Sequence, residues 1–223
     1  MLAGGLPAVE PEAASLPWSS LLRHRAVWAF LLANILTAPA WGFYQFFLPD
    51  FLSKHFNLET QAAGWWTAVF FGLAVVGGVA GGWFAGKLID RGWSVHVARK
   101  VTLLLCALAV VPVFLAPYAD NELFAVLIVG LAGSAHQGWS ANLFSFVSDT
   151  MPKATISSVV GLGGFVAHFA GGFVNGVVGL ILQKTGSYIL VFGYFSGMYL
   201  VALFVIQLLM WVPARPKPVA PVT

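Results

Sequence analysis

Charge is what this sequence has least of. Only 9% of its 223 residues are Asp, Glu, Lys or Arg, whereas a water-soluble domain carries about 25%. With 59% apolar residues and a mean hydropathy of +0.86, it has too few ionic groups to cover a water-facing surface. The eleven cations and eight anions leave a net +3, spread along the chain rather than gathered in a basic patch, which argues against nucleic-acid binding. A single cysteine, Cys106, excludes an intramolecular disulfide framework and any metal site built from several thiolates. Carboxylates are absent from the long apolar stretches, and Asp50 and Asp149 stand at their borders. What remains is the composition of a membrane protein.

Six runs contain no Asp, Glu, Lys or Arg: 26–49, 60–86, 101–119, 123–148, 154–183 and 185–214. A helix needs roughly 20 mostly apolar residues to cross the hydrocarbon, so each run holds one crossing. Helices are required because lipid offers the backbone no hydrogen-bond partner, and no run alternates as a barrel strand does. The fold class is therefore an all-α membrane protein, a bundle of six transmembrane helices over 23–214. It lies between a linker-like segment 1–22, containing Pro7, Pro11, Pro17, Glu10 and Glu12, and a proline-rich tail 215–223. The leading segment has no basic n-region and does not read as a secretory signal.

Six crossings put both ends on one side. That side gathers Arg23, Arg25, Lys87, Arg91, Arg99, Lys100, Lys153, Arg215 and Lys217, against Lys54 and Lys184 on the other. By the positive-inside rule both termini are expected in the cytoplasm. Trp28, Trp65, Trp66, Trp83 and Trp211 lie near the expected span ends, where indoles rest at headgroup level.

Polar side chains inside a bilayer avoid lipid, so they mark helix contacts or a cavity. The first span bears a polar and aromatic stripe, Asn34, Thr37, Trp41, Tyr44 and Gln45, and Pro39 interrupts it with a kink or a broken turn. The fourth carries Ser134, His136, Gln137, Ser140, Asn142 and Ser145, and the fifth Ser157, Ser158, His168 and Asn175. Isolated groups of this kind join helices by hydrogen bonds; the density on the first and fourth spans points to a cavity. The third span, with Thr102 and Cys106, reads as peripheral. Glycines four apart, Gly77 and Gly81, Gly78, Gly82 and Gly86, and Gly172 and Gly176, allow helices to approach closely.

The loop from Gly86 to Lys100, with Asp90, Arg91 and Gly92 followed by Arg99 and Lys100, resembles the cytoplasmic-loop signature of the major facilitator superfamily in its second-half version. Ala135-His136-Gln137-Gly138-Trp139-Ser140-Ala141-Asn142-Leu143-Phe144, running on to Val147-Ser148-Asp149 and Pro152-Lys153, is similar to the tenth helix of the anion:cation symporter family, particularly its hexuronate and sugar-acid transporters. The resemblance covers about 17–213 and matches helices seven to twelve of a twelve-helix protein. It implies a secondary active transporter half, not an enzyme, in the cell inner membrane. It further implies proton-coupled uptake of a hexuronate or related organic anion by alternating access, with the proton as coupling ion and no cofactor or metal. The partners implied are that anion, the lipid bilayer and an N-terminal six-helix half. By the same resemblance Thr37, Trp41, Tyr44, Gln45, Gln137, Ser140, Phe144 and His168 face substrate, while Asp90, Arg91 and Arg99 belong to a cytoplasmic gate touching the start of the fifth span. Ala38 stands where close relatives carry an acid, and His168 also departs from the pattern. The family's substrate-pairing base and proton-accepting acids lie mainly in the half not matched here.

Two other readings compete. Gly138-Trp139-Ser140-Ala141 and Ala167-His168-Phe169-Ala170-Gly171 approximate the nucleophile and histidine motifs of a rhomboid-type intramembrane serine protease. That chemistry requires Ser140 and His168 within hydrogen-bond reach, yet their distances from the connecting loop differ by roughly 9 Å in depth at ~1.5 Å per helical residue. The third reading is a non-transporting membrane subunit or a truncated relic.

Overall fold

The computed structural model describes residues 18–210. The expected linker-like segment lies outside the described residues up to position 17, and Trp18–Leu21 form a single helical turn, α1. The expected tail, with Arg215 and Lys217, lies wholly outside them, as does Trp211.

Six helices long and apolar enough to cross a membrane follow. They are α2 (Arg25–Phe56), α3 (Thr60–Asp90), α4 (Val95–Val110) continued by a 3₁₀ segment (Val111–Tyr118), α5 (Glu122–Thr150), α6 (Lys153–Thr185) and α7 (Ile189–Leu209). Among the described residues there is no strand. The chain is a multi-pass membrane protein, and each charge-free run corresponds to one of these spans. Most helices overrun their runs by a turn or two, since a charged residue ends a hydrophobic run without ending a helix. The last span is the exception. It starts at Ile189 rather than 185 because α6 continues to Thr185 and is closed by Gly186 in the left-handed region, φ 63°, where a missing Cβ removes the steric penalty.

Proline and asparagine account for the other irregularities. Pro112 and Pro117 lie in the segment that tightens from α to 3₁₀ geometry after α4, because proline supplies no N–H to the α-helical ladder. Asn121 caps α5 by accepting from the Phe124 amide at 2.9 Å, and Asn57 closes α2 at φ 53°. At Pro39 the helix is not broken: α2 runs through both Pro39 and Pro49.

Packing divides the glycines into two groups. A Cβ on Gly77 would overlap the backbone of Ser134, and one on Gly81 that of Gly138, so α3 and α5 touch backbone to backbone. Gly82 and Gly86 on α3, and Gly172 and Gly176 on α6, border open space. Aromatic rings join α2 to α7: Phe43 meets Phe192 and Phe195 at 5.2 and 5.1 Å, and Phe51 meets Phe192 at 5.0 Å. At the end of this seam the Tyr188 hydroxyl donates to Asp50, which also pairs with Lys54 at 3.0 Å. Burial, and then the neighbouring carboxylate, raise the Tyr188 phenol above its ordinary pKa. The most buried spans are α2 and α5; α6 and α3 are the least buried.

Gly81→Ala is expected to lower the melting temperature of the detergent-solubilised chain, the overlap costing about 1–3 kcal/mol. Gly82→Ala, one residue further on and facing open space, is expected to leave it unchanged or raise it slightly, as alanine favours a helix by about 0.5–1 kcal/mol. Equal shifts in the two variants would contradict the α3–α5 contact.

Candidate functional site

The central stretches of three spans enclose a cavity of about 330 Å³. From α2 come Asn34, Thr37, Trp41 and Gln45; from α5, His136, Trp139, Ser140 and Phe144; from α6, His168 and Asn175. Steps of three and four residues carry one face of each helix to the cavity. The wall is apolar and aromatic with a few convergent polar groups, and none of its side chains is Asp, Glu, Lys or Arg. A concave site of that character suits a small molecule.

Several wall groups are already committed. Asn34 donates to the Phe30 carbonyl at 2.9 Å and Thr37 to that of Ala33 at 2.8 Å. Asn175 Nδ2 reaches the Gly171 carbonyl on its own helix at 2.8 Å and the Pro39 carbonyl of α2 at 3.2 Å. His136 stacks on Trp41, ring centroids 5.2 Å apart and planes 8° off parallel, while its Nδ1 lies 2.5 Å from the Tyr199 hydroxyl. Others remain uncommitted. Trp139 Nε1 and Asn175 Oδ1 are buried without a protein partner, a state that costs about 1–3 kcal/mol unless water or a ligand supplies the bond.

Of the eight substrate-facing residues expected from the sequence, six line this cavity: Thr37, Trp41, Gln45, Ser140, Phe144 and His168. Tyr44 does not. It is fully buried between Phe43 and Phe70, with ring centroids at 5.7 and 5.2 Å, because its place on the helix turns it from the cavity into the core. Gln137 also falls outside the lining; one position round from His136, it stands over Gly78 of α3. His136, Trp139, Asn34 and Asn175 belong to the wall but not to that expected set. The stripe that contained Asn34, the cluster that contained His136 and the fifth-span polar set that contained Asn175 were visible, whereas the rotation of each helix was not. The third span contributes nothing to the lining.

The gate residues separate. Asp90 and Arg91 are exposed and have no ion-pair partner among the described residues. Arg99 is tied within the bundle: its Nε meets Asp149 at 3.0 Å and its Nη1 donates to Asn142 Oδ1 at 3.0 Å. Fully buried Asn142 donates in turn to the carbonyls of Gly81 and Gly138, at 3.1 and 2.9 Å. One amide thus links α3, α4 and α5 beside the glycine contact. As for a protease, Ser140 and His168 share the cavity, but His168 Nδ1 is bonded to the Gly164 carbonyl at 2.8 Å and no hydrogen bond joins it to Ser140. Among the described residues no three His, Cys, Asp or Glu gather as metal ligands.

The sequence profile of the Major Facilitator Superfamily matches residues 3–175. The chain is 29% identical to the hexuronate transporter of Escherichia coli K12 over 170 residues, 74% of this chain and 39% of that protein. It is 30% identical to the D-galactonate transporter of Escherichia coli O6:H1 over 171 residues, 74% and 38% respectively. It is 26% identical to the probable galactarate/D-glucarate transporter of Bacillus subtilis over 168 residues, 75% and 37%. The chain therefore spans well under half the length of the relatives it matches.

Asn142→Ala removes the amide and strands the Arg99 guanidinium beside Asp149. It is expected to destabilise the bundle by about 1–3 kcal/mol, read as a lower midpoint in detergent-denaturant titration. Asp149→Asn, at the partly exposed end of the knot, is expected to cost less than about 1 kcal/mol. The reverse ranking would contradict Asn142 as the centre.

Proposed function

The chain belongs to the Major Facilitator Superfamily, and from that premise we propose that it is half of a secondary transporter for a hexuronate or related sugar acid. The other half is an N-terminal six-helix bundle, encoded in the same polypeptide or in another. The convergence of three central helix faces on one uncharged, aromatic cavity carries this reading. Such a wall suits the hydroxylated body of a sugar acid and lacks a cation for its carboxylate. That cation and the groups that take up the coupling proton are assigned to the missing half. The open glycine faces of α3 and α6 suit the contact across which two halves slide. Both ends of the bundle are placed in the cytoplasm, with uptake across the cell inner membrane driven by the proton gradient. Asp90 and Arg91, exposed at the end of α3, are assigned to the cytoplasmic gate, where they meet the partner; Arg99 supports them from within.

Co-expression of the chain with the first six helices of the Escherichia coli hexuronate transporter, in cells lacking their own hexuronate uptake, tests the proposal. Radiolabelled D-glucuronate is expected to enter only when both halves are present, and a protonophore is expected to abolish entry. Ser140→Ala and Gln45→Leu, each removing one polar contact, are expected to lower uptake about tenfold, as about 1.4 kcal/mol does. Uptake no greater than with the N-terminal half alone would refute the reading.

A further inference from the structure

We infer that His136 and His168 present opposite hydrogen-bonding faces to the cavity, a donor and an acceptor, so that this wall recognises the hydroxyl groups of its ligand rather than the carboxylate. The inference deepens the sugar-acid reading and rests on it for the identity of the ligand; the ring chemistry stands on geometry alone.

His168 is fixed by its partner. Its Nδ1 lies 2.8 Å from the Gly164 carbonyl oxygen, which has no hydrogen to give, so the ring proton sits on Nδ1 and the neutral imidazole leaves Nε2 bare. His136 is fixed the other way. Its Nδ1 is 2.5 Å from the Tyr199 hydroxyl, whose other acceptor neighbour, the Thr37 carbonyl, is 3.4 Å away. A phenol has one hydrogen, and 3.4 Å lies beyond the usual O–H···O range of about 2.5–3.0 Å. The hydrogen therefore goes to His136 Nδ1, and the ring proton of His136 sits on Nε2. No carboxylate lines the cavity to favour an imidazolium at this buried position. Stacking on Trp41 holds the ring plane, and neither Nε2 has a protein partner among the described residues.

Trp139 Nε1 and Asn175 Oδ1 belong to lining residues, but the atoms themselves are closed off from the cavity and take no part. A hydroxyl both donates and accepts, so neighbouring hydroxyls of a polyhydroxylated chain answer both imidazoles. A carboxylate only accepts and would set its lone pairs against that of His168 Nε2. The wall thus orients the ligand, with the sugar hydroxyls against α2, α5 and α6 and the carboxylate turned away. Tyr199 lies on α7 and is not part of the lining. It is a positioning residue, acting through His136.

Nitrogen NMR of the full chain, labelled at histidine with ¹⁵N and held in nanodiscs at a pH where imidazoles are neutral, reads the tautomers directly. His136→Gln and His168→Gln assign the two rings. The expected spectrum has the proton on Nε2 of His136 and on Nδ1 of His168, and Tyr199→Phe is expected to turn His136 alone into a mixture. The same tautomer on both rings, or a His136 signal indifferent to Tyr199→Phe, would overturn the inference. Should that variant not fold, the parent spectrum still decides. In the paired transporter, Tyr199→Phe is expected to weaken competition by D-glucuronate about tenfold while sparing adipate, a six-carbon dicarboxylate without hydroxyls. Equal weakening of both would make Tyr199 merely structural and overturn its assigned role. A pair that transports nothing counts against the transport reading and leaves the tautomers to the spectra.

Discussion

Inside a bilayer no water relieves an unpaired polar group, and in this chain that constraint decides where each hydrophilic side chain goes. Many simply fold back on their own helix. Thr67 bonds to Ala63, Thr102 to Ala98, Ser145 to Ala141 and Thr150 to Phe146, each four residues earlier. A second set crosses between helices: Ser134 donates to the Leu73 carbonyl at 2.7 Å, and Asn142 collects Arg99 and the Gly81 carbonyl. A third set stays unanswered: Trp139 Nε1 and Asn175 Oδ1 are buried behind the cavity wall and the Tyr44 hydroxyl in the core, while the Nε2 atoms of His136 and His168, two lining residues, have no protein partner among the described residues.

Close helix approach and polar pairing reinforce each other. Gly77 and Gly81 let α3 meet α5 at backbone distance, and only then does the Gly81 carbonyl come within reach of Asn142. That contact leaves α5 free to offer its other face, from His136 to Phe144, to α2 and α6. On the far side of α2, the Phe43 and Phe51 cluster against α7 supports the cavity from behind and places Tyr199 beside His136. The cavity wall is thus held by contacts behind it.

Number and approximate extent of the spans were legible in the sequence because charge is scarce and its placement is informative. The cavity was legible in outline, since a lipid-facing polar stripe is improbable on energetic grounds. Its finer composition was not. Tyr44 and Gln45 are adjacent, and which of them faces inward depends on how α2 rotates against Phe70 of α3. Gln137 and His136 differ in the same way on α5. The glycine series were equally regular in sequence, and only tertiary packing distinguishes Gly81, packed against Gly138, from Gly82, which borders open space. Tyr199 gave no signal at all, because an aromatic in an apolar helix is ordinarily a packing residue until its hydroxyl is located.

On the proposed reading, three helix faces form one water-accessible wall that a second bundle completes. Cysteines introduced singly at Gln45, Ser140, His168 and Tyr44, in a Cys106→Ala background and in the presence of the N-terminal half, test it most directly. A membrane-impermeant thiol reagent is expected to label the first three, D-glucuronate to protect them, and the cysteine at Tyr44 to stay unlabelled. Labelling at Tyr44 with none at the other three, or labelling that ligand leaves untouched throughout, would contradict it.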